Sequence, residues 1–253
     1  MKKISKFEAK NTTIDDLLGK TLYSFEKFHK DTKISLLDPQ IPSSEWPEEW
    51  KKIYFKAYSR FEEISLPSPD LGKVTFKEVL EKRSSKRIFS SDISKKELSN
   101  LLYYGAGLNK TKSNSRFYPS AGGRYPLEVY FISINTELPR SLYHYCVKNN
   151  SMERLFTFDR KLLKSFFNQD WVKHAAGLII ITSVFKRNVI KYGDRGYRHI
   201  LTEAGCMTQN FYLLCGALGI SCCGIGGYLD DEINSYLDID GLKEAVVGVI
   251  AVG

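Results

Sequence analysis

The chain has 253 residues, 43% hydrophobic and 26% charged, the balance of an ordinary globular protein of one or two domains that needs no disulfide or metal staple. Lys and Arg outnumber Asp and Glu by 37 to 29, but the cations run from Lys2 to Lys243 in nothing longer than a pair, which argues against a nucleic-acid patch and suits an acidic substrate or a phosphate-bearing cofactor. Five cysteines without a C-x-x-C, four scattered histidines, no apolar signal-peptide core and no run of ~18 apolar residues predict no metal site and no membrane partner, in a cytoplasmic protein with reduced thiols.

Residues 1–72 read as a polar and aromatic lead-in. A helix is expected to start near Thr13, where T-I-D-D puts acids in the first turn. From Pro39 to Pro69 five prolines predict an extended strap, since each removes a donor and restricts the residue before it. The main domain is expected over 73–253. Thr75-Phe-Lys-Glu78 is a capping box with an apolar face behind it. At that helix's end, Arg83-Ser84-Ser85-Lys86-Arg87-Ile88-Phe89 sets two guanidiniums and a hydroxyl at alternating positions. In an extended chain they converge on a phosphate, which arginine forks bind in bidentate fashion. A solvated basic helix end explains them equally well.

Ser94-Lys-Lys-Glu97 opens a second helix, predicted to stop at Gly105 or Gly107. In Tyr118-Pro-Ser-Ala-Gly-Gly-Arg-Tyr-Pro126 two glycines between prolines make a tight turn, open to a flat ligand or an anion, with Ser120 and Arg124 beside it. A plain turn before a strand is the alternative. Strands are predicted at 127–134, 141–147, 177–184 and 246–252. Lys191-Tyr192-Gly-Asp-Arg-Gly-Tyr-Arg198 holds a pair suited to proton transfer, the ammonium lowering the tyrosine's pKa, or else is a charged loop leading into a helix. Apolar residues from Ile200 to Leu218 recur at three or four positions, predicting a long helix over 195–218. Cys223-Gly-Ile-Gly-Gly-Tyr228 is a glycine turn that matches no dinucleotide fingerprint. Strands interleaved with helices predict an α+β fold with a mixed central sheet packed by helices.

In this order, R-x-S-x-R-x-F, PSAGGRYP, K-Y-G-D-R-G-Y-R and G-I-G-G resemble the SagB-type dehydrogenases of the FMN-dependent nitroreductase superfamily, as do Phe28-His-Lys-Asp-Thr-Lys33 and Leu66-Pro67. The resemblance covers nearly the whole chain. It implies a nitroreductase-like fold, a homodimer with FMN at its interface, and the following roles. Arg83, Ser85 and Arg87, with Ser84 between them, hold the FMN phosphate and ribityl chain. Pro119, Ser120, Ala121 and Gly122 reach the flavin from the other subunit. Gly224, Ile225, Gly226 and Gly227 line the isoalloxazine, and Asn168 or Gln169 touches the ring edge. Lys191 and Tyr192 are the catalytic pair, with Tyr192 as base assisted by Lys191. Family members often carry further basic residues beyond the last strand; with the sequence ending at Gly253, Arg83 and Arg87 are expected to carry most of the phosphate charge.

The activity so implied is oxidation of thiazoline or oxazoline rings in a ribosomally made peptide, alongside cyclodehydratase or leader-binding partner proteins, with dioxygen reoxidising the flavin. An NAD(P)H-dependent nitro- or quinone reductase, and a flavin-bearing scaffold without catalysis, are the alternatives.

Overall fold

A computed structural model describes residues 24–34, 41–89, 92–111 and 115–253. The chain forms two compact units, Met1–Pro42 and Ser43–Gly253. The first contains helix α1 (Ser24–Asp31), with Glu26 in its first turn and His29 and Lys30 in its last, as the helix dipole favours. Thr32 closes it by donating its hydroxyl to the Phe28 carbonyl at 2.6 Å. The helix expected near Thr13 lies outside the described residues.

The second unit is built on a seven-stranded sheet of order β1-β4-β3-β2-β5-β7-β6. The strands are β1 (Glu62–Ser65), β2 (Leu127–Ser133), β3 (Ser141–Cys146), β4 (Ser151–Thr157), β5 (Gly177–Val184), β6 (Cys222–Ile225) and β7 (Glu244–Val252). Every pairing between these strands is antiparallel, and the parallel component of the expected mixed sheet is the isolated bridge Ile93↔Thr136. Its helices are α2 (Glu48–Lys51), α3 (Phe76–Lys82), α4 (Lys95–Ala106), α5 (Leu163–Phe166), α6 (Lys186–Tyr192), α7 (Arg195–Leu218) and α8 (Asp230–Tyr236). None is long and apolar enough to cross a membrane, among the described residues.

The central strands are apolar on both sides because two cores meet there. Strand alternation sends Val129, Phe131, Ile179 and Ile181 to one face, where α4 and α7 bring Leu98, Leu101, Ile200, Met207 and Phe211. Tyr130, Ile132, Leu178 and Ile180 go to the other, against Phe158, Phe166 and Ile233. Both capping boxes form: Thr75 and Ser94 accept from the amides of Glu78 and Glu97, whose carboxylates bind back.

The proline-rich strap is less uniform than expected. It contains a 3-10 turn (Ser43–Glu45), the single turn α2 and the edge strand β1. Strands β1 and β4 escaped the sequence pattern because their polar residues have partners across the sheet, and β6 because it is four residues long and runs into the glycine turn. Arg154 reaches the Ser141 hydroxyl and Glu62, and Glu63 accepts from Ser151 and Asn149.

Helix α4 runs through Gly105 and is capped at Gly107. A Cβ on Gly105 would lie 2.4 Å from the ring of buried Phe211, so α4 and α7 cross at a point that excludes a side chain. Gly105→Ala gains about 1 kcal/mol of helix propensity. Overpacking against an immobile ring costs about 1–3 kcal/mol. We expect a net loss of stability in urea denaturation; a more stable G105A would mean that the helices do not touch there.

Candidate active site

The segment after α3 leaves the helix at Arg83 and runs extended beside β6, with the Lys86 amide donating to the Cys222 carbonyl at 2.8 Å. Alternation then places Arg83 and Ser85 on one side. The Arg83 guanidinium stacks over the Tyr212 ring at 5.8 Å, and the Ser85 hydroxyl lies 3.2 Å from the Tyr212 hydroxyl. That hydroxyl also accepts from the Gly224 amide at 2.6 Å, so one tyrosine of α7 ties the arginine segment to the glycine turn. Ser84 faces the opposite way, its hydroxyl on the Lys82 carbonyl.

Arg87 sits over Trp171 at 5.8 Å, and Phe89 stacks on the same indole. The antiparallel bridge Phe167↔Tyr228 holds this loop beside the glycine turn, with Asn168 exposed and Gln169 packed on Gly227, where a Cβ would meet its amide at 2.5 Å. Ile225 turns into the second core, while nothing stands within 4 Å of the place a Gly226 Cβ would take. Arg83, Lys86 and Arg87 have no carboxylate partner among the described residues.

A second group forms at Pro119–Gly122 and the end of α6. Lys191 and Tyr192 occupy that helix's last turn, not a loop, and Gly193 (φ 54°) breaks the chain before α7 begins. Both side chains close on Gly122, whose φ of 63° suits glycine and whose Cβ would lie 2.5 Å from the Tyr192 hydroxyl and 3.1 Å from Lys191 Nζ. Nζ rests on the face of Trp46, 3.1 Å from its centroid, with Trp50 at 6.0 Å and Tyr192 at 5.4 Å. Burial and the nearby Arg124 charge hold Lys191 below the ordinary lysine range. Burial holds Tyr192 above its ordinary value, outweighing the opposing pull of Arg124. The expected direction for the tyrosine is therefore reversed: desolvation decides it, and the amine moves toward neutrality. His199 lies edge-on to Tyr192 at 5.1 Å, lowered by burial and by Arg195 and Arg198.

These contacts rest on α7. Glu203 accepts from the Ser120 hydroxyl at 2.6 Å, and Ser120 accepts from the Tyr125 amide at 2.9 Å, closing the turn. Nine residues on, Tyr212 organises the first group, a rise of roughly 14 Å along the axis at 1.5 Å per residue. The structure thus brings Arg83, Ser85, Arg87, Gln169 and Gly224–Gly227 together in one place, and Pro119–Gly122, Lys191 and Tyr192 in another.

The family model that matches this chain is the nitroreductase family, over residues 80–253. The chain belongs to that family. It is 30% identical over 180 residues to a nitroreductase-like protein of Methanocaldococcus jannaschii, covering 70% of this chain and 90% of the relative. It is 31% identical over 135 residues to the microcin B17-processing protein McbC of Escherichia coli, 49% of each chain, and so spans about half the length of that relative. A chain of the E. coli microcin synthetase McbBCD complex, solved with truncated pro-MccB17 bound, superposes with a TM-score of 0.60 at 23% identity, over 90% of this chain and 85% of that one. The last likeness is one of fold.

Within this nitroreductase fold, Tyr212, Glu203, Trp46, Trp50 and Trp171 contact the two candidate groups, and no local motif marks them. Glu203 and Tyr212 look like ordinary positions of a helix in sequence, and only the α7 crossing brings them to the turns. Burial pushes the Glu203 carboxyl up to about 8, against the pull of the Ser120 hydroxyl, Arg116 and the Ala121 amide. Near neutrality it is mainly the neutral acid.

That shift sets a pH dependence. The folded state holds the Glu203 proton more tightly than the unfolded chain, so stability falls as pH rises from 4.5 toward 8, by up to about 1.4 kcal/mol per pH unit. Glu203→Gln, always neutral, should flatten this part of the profile and gain most over the parent chain above pH 8. Equal pH slopes for both proteins in urea denaturation would show that the carboxyl is not desolvated.

Proposed function

We propose that this chain is an FMN-dependent dehydrogenase that oxidises azoline rings in a ribosomally made peptide, acting as a homodimer and with partner proteins that cyclise the peptide. The observation that carries the reading is the Lys191–Tyr192 pair closed on Gly122 under the Trp46 indole, an amine with lowered pKa beside a phenol with raised pKa. Reduction of a nitro group or quinone needs no base for a carbon acid, whereas an azoline must lose an acidic ring proton beside a carbonyl and an imine. The likeness to McbC, which processes microcin B17, supports the same reading.

The residues present fit FMN. Three cations without acidic partners, Arg83, Lys86 and Arg87, suit a phosphate, which arginine binds by its fork. Gly226 leaves open space beside Gly224 and Gly227 for a planar ring, with Gln169 at its edge. Flavin supplies the two-electron acceptor when bound. The proton is the protein's task. Lys191, partly desolvated, accepts it from the ring carbon, and Tyr192, kept as a phenol, orients the substrate by hydrogen bond. This inverts the roles expected from sequence. Pro119–Gly122, tied to Glu203, forms the wall against which the pair works.

A second protomer would bring the two groups into one site, and the surface beside the arginines suits it. Ile88 is 82% exposed and Phe76 72%, and both flank Arg83 and Arg87 in the chain. Ile88→Asp should shift the protein from dimer to monomer in light scattering and lower its flavin content. A dimeric, fully yellow I88D would remove that face from the interface.

General base catalysis is worth about 10²–10⁴-fold. Lys191→Met should therefore lower azoline oxidation by about that factor with flavin absorbance retained, and Tyr192→Phe should lower it less. Mass spectrometry of a cyclised peptide reads the loss of two hydrogens per ring. Full turnover by K191M would overturn the proton-transfer assignment, and rapid NADPH bleaching with no azole formed would point to the reductase.

A further inference from the structure

Along α6 from the Lys191–Tyr192 pair lies a cavity of about 460 Å³ that the proposed chemistry does not use. Its walls are Tyr54, Phe55, Val184 and Ile190, with Arg124 and Lys186 also lining it. Tyr54 and Phe55 follow Trp46 and Trp50 on the same segment, so one aromatic wall serves both Lys191 and the cavity.

The charge within it is unbalanced. Arg124 is only 2% exposed, and its hydrogen bonds go to two neutral acceptors, the carbonyls of Arg187 and Lys52, at 2.7 and 2.9 Å. A guanidinium has five N–H donors, so three are left over. No carboxylate pairs with Arg124 or with exposed Lys186 among the described residues. Arg187 also lines the cavity, but Glu128 neutralises it. The remaining acid is Glu49 at the exposed rim, one negative charge against two positive. A buried cation without a counter-ion beside an apolar cavity is costly unless an anion completes it.

We infer that this cavity is a binding subsite for a carboxylate carried on an apolar stem, presented by an acidic residue that flanks the reacting ring of the peptide. The inference rests on the proposed peptide substrate for its biological meaning, and on Arg124 and the cavity walls for its chemistry. The aliphatic stem of a glutamate lies between Ile190 and Phe55, its carboxylate takes the spare donors of Arg124, and Lys186 attracts it from the rim. The bound anion also offsets the Arg124 charge that Lys191 and Tyr192 feel, so occupation of the subsite is transmitted to the proton-transfer pair.

The test is calorimetric titration of the purified protein with N-acetyl-Phe-Glu-amide and with its neutral counterpart, N-acetyl-Phe-Gln-amide. A charge-assisted contact predicts about tenfold or more tighter binding of the Glu peptide. Ile190→Glu, which sets a carboxylate at the half-exposed mouth, should abolish the difference, and Lys186→Glu should reduce it, with flavin absorbance unchanged in both. Equal binding of the two peptides, no binding of either, or unchanged discrimination by I190E overturns the subsite. Because the titration reads binding alone, a protein that discriminates the peptides yet oxidises no azoline would overturn the dehydrogenase reading and leave the subsite standing.

Discussion

A buried guanidinium has to find acceptors inside the protein, and Arg124 finds them on two segments far apart in sequence. Its Nε donates to the Arg187 carbonyl in α6 and its Nη1 to the Lys52 carbonyl in the proline-rich strap. Arg124 itself closes the PSAGGRYP turn, so three segments are fixed at one point. The spacing between Gly122 and the Lys191–Tyr192 pair follows from this joint. Removing it would release the strap that carries Trp46 and Trp50 from α6. The second tie runs from α6 into the sheet: Arg187 pairs with Glu128, Glu128 with His144, and His144 with Glu153, whose other oxygen accepts from the Tyr58 amide at 2.9 Å. Helix α6 is thus held from both sides by polar contacts.

Helix α7 sets the second constraint. It lies on the sheet through Ile200, Met207 and Phe211, and its polar positions reach outward to the turns: Glu203 to Ser120, Asn210 to the Phe117 carbonyl, Tyr212 to Ser85 and Gly224. A buried helix cannot slide without opening a core packed at crystal density. It therefore serves as a ruler that keeps the arginine segment and the Lys191–Tyr192 pair at fixed separation. Small residues mark its closest approaches, with Gly216 against the backbone at Lys82 and Arg83, and Gly196 against Val189.

Much of this was legible in the sequence wherever the signal is local. Capping boxes depend on residues three apart, and both formed as read. The α7 and β5 limits agree with the periodicity, since one is amphipathic over its whole length and the other a continuous apolar run. The motifs located the glycine turns and the arginine segment. What sequence could not supply is contact between segments. Strand β4 carries Glu153 and Arg154, which look like loop residues until His144, Ser141 and Glu62 stand opposite them. Tyr212 is one of fifteen tyrosines until the Gly224 amide reaches it. The Tyr192 shift runs opposite to the direction that the adjacent Lys191 implies, for the same reason. Adjacent charge can be seen in a sequence, and desolvation cannot.

The buried glutamates show how the site differs from the scaffold around it. Glu128 and Glu203 are equally hidden, at 3% and 2% exposure. Glu128 has Arg187 on one oxygen and His144 on the other, and these partners overcome burial and hold its carboxyl below the usual range. Glu203 has the Ser120 hydroxyl on one oxygen while the other, Oε1, has no partner. Its carboxyl rises accordingly. A scaffold gains nothing from a buried carboxyl with one oxygen unpaired, and a glutamine would close the same turn without the desolvation cost. Tyr125, a residue with a side chain, is held at a φ of 46° in the same turn. Costs of this kind persist where the surrounding structure over-determines the conformation, and they cluster at functional sites. Here the over-determination is visible in Arg124 and α7, and the strained turn is the one on which the Lys191–Tyr192 pair closes.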